Sequence, residues 1–262
     1  KMNQNGVAIM LDFNHGNKFH DRLNKLLDTA LLAENEKQVQ RKYLGGSRLG
    51  VECVRALQYE YMHFPKDVGK DFEGRTLRIF AAGHVFETLA IKWLRQAGFE
   101  LYTENSKGEQ FGFSVAAGRI QGHVDGIINN APGALGMSFP ALWEAKSLNN
   151  KSWNDTVKKG LVLSKPIYAA QVATYQAYME ATIPGISENP ALFTAINKDT
   201  AEIYHELVSF DSSMAQIASD RGVRVLTASD ARELLPRISS TPSFLDCKFC
   251  TWHDRCWRKD EN

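Results

Sequence analysis

Apolar residues along this chain fall at helical spacing in some stretches and at strand spacing in others, with turn-forming residues between them. Residues 17–41 carry Phe19, Leu23, Leu26, Leu27, Ala30 and Leu31 among charged positions, with no Gly or Pro, which predicts an N-terminal helix. Ser47 follows Gly45 and Gly46 and precedes Leu49, Val51, Leu57 and Tyr61, so it is placed to cap a second helix carrying Cys53. The longest helical pattern covers residues 74–97, has His84 in its middle and stops at Gly98, a residue suited to a helix C-terminus. The period then changes. FELYTE and EQFGFSV flank Asn105-Ser106-Lys107-Gly108, while GRIQGHVDGII and ALWEAKSL flank NNAPGALGMSFP, a pattern that predicts an antiparallel sheet. A helix over 166–181, strands over 191–197 and 201–209, and a long helix over 211–235 stopped by Pro236 complete the reading.

This order of elements predicts one mixed α/β domain with helical additions at both ends. Composition narrows the picture: 262 residues, 44% hydrophobic and 23% charged, fit a globular protein and exclude a disordered chain or a fibre. Lys plus Arg number 31 against 30 Asp plus Glu, so any site for a polyanion must be a local patch. No window approaches the roughly 18 apolar residues of a membrane span, and the start KMNQNG has no signal-peptide core. No membrane association and a cytoplasmic location are the expectations.

The stretch richest in chemistry is GHVDG at 122–126, followed by Glu144-Ala145-Lys146. Strand alternation puts Glu144 and Lys146 on one side of a strand, and Asp125 on the preceding strand can meet them across the sheet. Converging carboxylates repel unless a cation neutralises them, and oxygen ligands favour Mg²⁺ or Mn²⁺. Such an ion lowers the pKa of a bound water and stabilises charge on a phosphodiester under attack, and a neighbouring lysine can orient that water. Taken alone, Glu-x-Lys is also an ordinary solvated pair. His84 and Glu87 share a helix face at i, i+3, as a metal ligand with its support or as a hydrogen-bonded core histidine. Gln171 and Tyr175 lie one helical turn apart, suited to holding a phosphate, a water or a lysine, or to packing.

Cys247, Cys250 and Cys256 crowd the C-terminus, and Cys53 stands almost two hundred residues away. Four thiolates suit an iron-sulfur cluster or structural zinc, and spacing does not separate the two; His63 and His253 also admit a Cys3His zinc site. Either metal would staple the C-terminus to the early helix.

In order, GHVFE, GHVDG, EAK and QVATY resemble the motifs of RecB-type nucleases of the PD-(D/E)xK superfamily. SRLGVECVRALQYEY and CKFCTWHDRC resemble the segments that carry the cysteines of its iron-sulfur subgroup, which includes CRISPR-associated adaptation nucleases, AddB-type subunits and phage exonucleases. The resemblance runs from about residue 46 to 257. It implies a restriction-endonuclease-like α/β fold: a mixed β-sheet flanked by helices, with N-terminal helices and a C-terminal Cys-rich metal-cluster clasp. Residues 1–45 would form a helical extension and 46–262 a single nuclease domain. His84, Asp125, Glu144 and the Ala145 carbonyl would bind Mg²⁺ or Mn²⁺, Lys146 would assist the attacking water, and Gln171 and Tyr175 would complete the site. Glu87 has no assigned family role beyond support of His84. Cys53, Cys247, Cys250 and Cys256 would hold a [4Fe-4S] cluster, with Zn²⁺ as the alternative.

The implied activity is a metal-dependent deoxyribonuclease, an exonuclease on single-stranded DNA or duplex ends. It would serve recombination, repair or CRISPR-type adaptation, with a protein partner from that pathway, in a bacterium or, for a phage protein, in the host cytoplasm. Arg48, Arg55, Lys151, Trp153, Lys158 and Lys159 are candidate DNA contacts, Arg48 and Arg55 alternatively packing around the cysteines, with Lys165, Lys248, Arg255, Arg258 and Lys259 also cationic and Trp252 and Trp257 able to stack or to pack. Met137, Phe139 and Pro140 of the 129–140 loop suit a core edge, a partner or DNA. The rival reading is a non-catalytic, zinc-containing nucleic-acid-binding or assembly protein. A redox enzyme has no dinucleotide-binding glycine fingerprint in its favour.

Overall fold

A computed structural model describes residues 18–258; Asn17 of the expected first helix and Lys259 lie outside them. The chain divides into a small unit, the described residues up to Val39 together with Phe72–Phe80, and a larger unit of Gln40–Asp71 and the residues from Ala81 onward. Helix α1 (Lys18–Glu36) belongs to the small unit, and Asp28 on it forms an ion pair with Arg78. Helix α3 (Gly74–Gln96) ends as its sequence predicts. Gly98 turns left-handed at φ 93°, its N–H reaches the Arg95 carbonyl, and the Phe99 N–H reaches that of Leu94.

The larger unit is mixed α/β, with two sheets flanked by helices. One sheet has five strands in the order β2 (Glu100–Tyr102), β5 (Gly126–Asn130), β6 (Ala141–Leu148), β7 (Ala191–Asn197) and β8 (Ile203–Val208). All neighbours are antiparallel except β6 and β7, which run parallel. Parallel strands need a long crossover, and helices α4 (Asn150–Ser164) and α5 (Pro166–Met179) supply it. β7, a central strand, is buried along its whole length. The second sheet has the order β1 (Leu44–Gly45), β4 (Ile120–His123) and β3 (Gly112–Val115).

Two cores result. On one side of the large sheet, Ala90 and Leu94 of α3 pack on Leu101, Ile128, Trp143, Leu192 and Ile196. Met137 and Phe139 pack against this core, so the 129–140 loop covers a core edge. The other core joins Leu142, Leu148 and Phe193 to Leu161, Val172, Tyr175, the small sheet, α2 (Val54–Tyr61) and α6 (Ser212–Ala231).

Several expectations are corrected. GRIQGHVDGII is not one strand: after His123 the chain leaves the small sheet, Val124 hydrogen bonds the Phe111 carbonyl, and Gly126 enters the large sheet. FELYTE and EQFGFSV likewise part into different sheets, joined by a bridge between Glu104 and Gln110. The sheet is therefore mixed and doubled rather than simply antiparallel. Ser47 does not cap α2. Pairing of Leu44 and Gly45 with β4 draws Gly46–Arg48 into a 3₁₀ turn, and Cys53 takes the cap position. Helix α6 ends well before Pro236, because Arg232 turns left-handed and the following segment is held by Gln58, which donates to the Glu233 carbonyl (2.6 Å) and accepts from the Leu235 N–H (2.8 Å).

Candidate functional site

Asp125 sits at the break where the chain passes from one sheet to the other. Gly126 pairs with Trp143 in antiparallel register, so the preceding residue faces Glu144, and the Asp125 carboxylate accepts the Ala145 N–H at 2.8 Å. Alternation along β6 places Lys146 beside Glu144, and its ammonium contacts Glu144 Oε1. The same oxygen accepts Gln171 Nε2 from α5 at 2.7 Å. Glu144 is fully buried, and its Oε2 has no hydrogen-bond partner. Tyr175, one turn on from Gln171, is buried against Phe113. Gly46 makes room for these rings: a side chain there would meet Phe113 Cζ at 2.6 Å and Tyr175 Cε1 at 3.0 Å.

Helix α3 supplies a third carboxylate. It passes close to β6, since a Cβ on Gly83 would lie 3.4 Å from Ser147 Oγ. Glu87 is half-buried next to Asp125, and burial followed by that like charge raises its pKa. His84, 3.8 Å from Glu87, has a side chain 83% exposed. Of the two, Glu87 is the more enclosed and His84 the more exposed. The sequence signal, one shared helix face, was present for both. The rotation of α3 on the sheet separates them.

Two carboxyls here face one ammonium. Burial, then the Asp125 charge, pushes Glu144 up to about 8, and burial raises Asp125. Lys146 stays protonated, because the carboxylates outweigh its burial. One lysine offsets one carboxylate, so the other holds a proton near neutrality. The consequence for stability has a definite sign. Between the ordinary 4.5 and about 8, the folded protein keeps a proton that the unfolded chain has lost, so this site's contribution falls as pH rises through that window. In chelator, the melting temperature of Glu144→Gln relative to wild type should therefore climb from pH 5 to pH 8, and added Mg²⁺ should reduce the difference. A constant difference across the window would contradict the assignment.

These residues suit a divalent cation: the unpartnered Glu144 Oε2 and the raised carboxyls both call for positive charge. Among the described residues no three His, Cys, Asp or Glu side chains already stand as a closed coordination group. The apolar cavity of about 430 Å³ lined by Trp93, Phe99, Met137 and Leu207 contains none of these carboxylates.

The cysteines gather elsewhere in the same unit. Cys53 begins α2, Cys247 lies on α7 (Leu245–Lys248) and Cys256 on α8 (His253–Trp257), and none of the four is in a disulfide. Burial, followed by the charges of Cys53 and Cys256, raises the Cys247 thiol, and burial raises Cys250. Donors point at the sulfurs: the Trp252 N–H lies 3.4 Å from Cys250 Sγ and Arg55 Nη1 3.9 Å from Cys256 Sγ. N–H donors of this kind would stabilise thiolates, but among the described residues the cysteines do not stand as a closed group of three or more metal ligands. The C-terminal segment is docked by protein contacts as well. Asp67 accepts the Asp254 and Arg255 N–H groups (2.6 and 3.1 Å), Trp252 Nε1 donates to the Phe64 carbonyl (3.0 Å), and Arg237 Nε donates to the Cys256 carbonyl (2.9 Å).

The candidate DNA contacts sort by what already holds them. Arg55 is buried and donates to the Leu235 carbonyl, which makes it packing around the cysteines. Arg48 pairs with Glu60 at 3.0 Å. Trp153 Nε1 donates to the Ala195 carbonyl at 3.0 Å, Trp252 is buried, and Trp257 lies under the Arg237 guanidinium at 4.5 Å, so the tryptophans pack. Lys159 and Lys165 both reach Asp155, at 2.7 and 3.7 Å, and Arg255 reaches the Pro65 carbonyl. Lys151, Lys158, Lys248 and Arg258 are exposed. No described helix is long and apolar enough to cross a membrane.

No protein-family model matches the chain, and no curated protein matches it. Among solved structures, it is similar to an alkaline exonuclease, LHK-Exo, from Laribacter hongkongensis, with 12% identity and a TM-score of 0.48 over 79% of this chain and 93% of that one. LHK-Exo in complex with dAMP matches over the same shares with 13% identity and a TM-score of 0.48. SSO0001 matches over 88% of this chain and 94% of its own, with 17% identity and a TM-score of 0.46. At these identities and TM-scores the likeness assigns no activity.

Proposed function

We propose that the protein is a metal-dependent deoxyribonuclease, an exonuclease that hydrolyses phosphodiester bonds of single-stranded DNA or DNA ends. One observation carries the reading: Glu144, buried, with one oxygen held by Lys146 and Gln171 and the other unpartnered, facing Asp125 from the adjacent strand. A purely structural ion pair would not need a second carboxyl against it. Asp125, Glu144, the Ala145 carbonyl and His84 would hold Mg²⁺ or Mn²⁺, with Glu87 beside them. When bound, the cation would neutralise the carboxyls and draw charge from a phosphodiester.

The side chains supply the rest. Lys146, kept protonated by its neighbours, directs N–H groups at an incoming water and at the phosphate oxygens that gain charge as the water oxygen attacks phosphorus. The P–O bond opposite breaks with its electron pair going to the sugar oxygen, which takes up a proton from solvent as the attacking water gives one up, so that an alcohol and a phosphate monoester are released. Gln171 fixes the Glu144 rotamer through Oε1 and so directs Oε2. Tyr175, whose pKa burial raises, stays a neutral hydroxyl donor. Exposed Lys151 and Lys158 on α4, directly after the EAK strand, offer a cationic approach for the DNA backbone. The four cysteines would hold a [4Fe-4S] cluster, or zinc as the alternative, as a structural clasp.

The direct test incubates anaerobically purified protein with linear and circular, single- and double-stranded DNA in Mg²⁺, Mn²⁺ or chelator. Metal-dependent release of nucleotides from linear DNA is the expected result. Salt-sensitive binding to DNA with no cleavage of any substrate would overturn the reading in favour of a non-catalytic binder.

A further inference from the structure

We infer that α1 is a self-association helix, and that two copies of this chain pair along it, antiparallel. The inference is independent of the nuclease reading. Among the described residues, helix α1 turns one face toward its own unit. Asn24, Asp28, Leu31, Leu32 and Asn35 are half-buried, and Asp28 both pairs with Arg78 and abuts Gly74, where a Cβ would fall 2.6 Å from the Asp28 Cα. That contact face is largely polar. The apolar positions lie on another: Phe19 is 66% exposed, Leu23 44%, Leu26 68% and Leu27 48%, with Ala30 and Ala33 exposed beyond them. No residue of α1 is buried.

The exposed residues 19, 23, 26, 30 and 33 alternate steps of four and three, the spacing of a two-helix seam. Volume and charge both select a second α1 as the occupant and fix its direction. In an antiparallel pair, Leu23 faces Ala33 of the other copy and Leu26 faces Ala30, so a large side chain meets a small one in each layer. Arg22 then faces Glu36 of the other copy, and symmetry makes the pair twice. Arg22 spends Nε on the Lys18 carbonyl (2.9 Å), which leaves its terminal nitrogens for that contact. Leu27 meets its own counterpart at the rim. A parallel pair would stack leucine on leucine at one end and alanine on alanine at the other, leaving a gap, and would set Arg22 against Leu27. Antiparallel packing also opposes the helix dipoles.

Sedimentation velocity on the full chain from about 1 to 100 µM, the range for a seam of this length, should give a concentration-dependent rise to twice the monomer mass. Leu23→Glu with Leu26→Glu should weaken association about a hundredfold while leaving the thermal melt of the larger unit and the DNA-directed activity unchanged. Direction is read with a short bismaleimide, the wild-type chain setting the background from its own cysteines. Thr29→Cys should cross-link to itself, since residue 29 faces residue 29 in the antiparallel register. Leu23→Cys should not, because those positions stand about 15 Å apart. A monomer at every concentration, a dimer indifferent to the Leu23 and Leu26 changes, or self-linking by Leu23→Cys without Thr29→Cys would each overturn the inference.

Discussion

Glu144→Gln and Lys146→Ala are each expected to lower DNA hydrolysis by about two to four orders of magnitude with the fold retained. The two act differently. Gln at 144 keeps the shape that accepts Lys146 and Gln171 but removes the charge that a cation needs at Oε2. Ala at 146 leaves the carboxyls able to take up metal but removes the donor aimed at the reacting phosphate. Metal binding measured by calorimetry separates them: it should be lost in Glu144→Gln and kept in Lys146→Ala. Glu87→Gln should reduce activity more than His84→Ala, since Glu87 lies against Asp125 while the His84 side chain is mostly in solvent. Wild-type turnover in both Glu144→Gln and Lys146→Ala would remove the site from this place in the fold.

On the proposed clasp, Cys247→Ser or Cys256→Ser should abolish metal binding by the cysteines and lower the melting temperature by about 10 °C or more, since the affinity of a thiolate-bound metal would be part of the folding free energy. The direction follows from the thiols themselves. Burial, then the neighbouring cysteines, raises the Cys247 thiol, and burial raises Cys250, so both are neutral unless a cation displaces their protons. Wild-type protein purified without oxygen should absorb broadly near about 400 nm, as iron-sulfur chromophores do. A colourless protein carrying zinc would replace the cluster yet keep the clasp, and an unchanged melt in the serine variants would refute the clasp itself. The protein contacts of Asp67, Arg237 and Trp252 hold the C-terminal segment in part, so the loss should loosen α7 and α8 before the sheets.

Chain-local chemistry dictates several of the elements. ALWEAKSL forms β6, residues 166–181 contain α5 and α3 stops at Gly98. Strand alternation was enough to set Lys146 beside Glu144. Helix α4 has little signature in the sequence, although Asn149 caps it by accepting the Ser152 N–H at 2.8 Å. Its apolar positions are sparse, and Gly160 at φ 74° interrupts it, where the Leu161 N–H instead finds Glu206. That bond comes from β8, forty-five residues on, and no local pattern contains it.

The amino-acid order by itself determined which residues are close along one strand or one helical turn: the Glu144 and Lys146 side, the Gln171 and Tyr175 face, the apolar stripe of α1. Only the tertiary structure decided where the chain breaks between sheets at Asp125, that Glu87 is the more enclosed member of the His84 pair, and that Arg55 and the tryptophans serve packing. The reason is physical. Spacing along a helix or strand follows from fixed backbone geometry, whereas the rotation of a helix on a sheet, and the partner of a buried charge, are set by contacts between residues far apart in the chain.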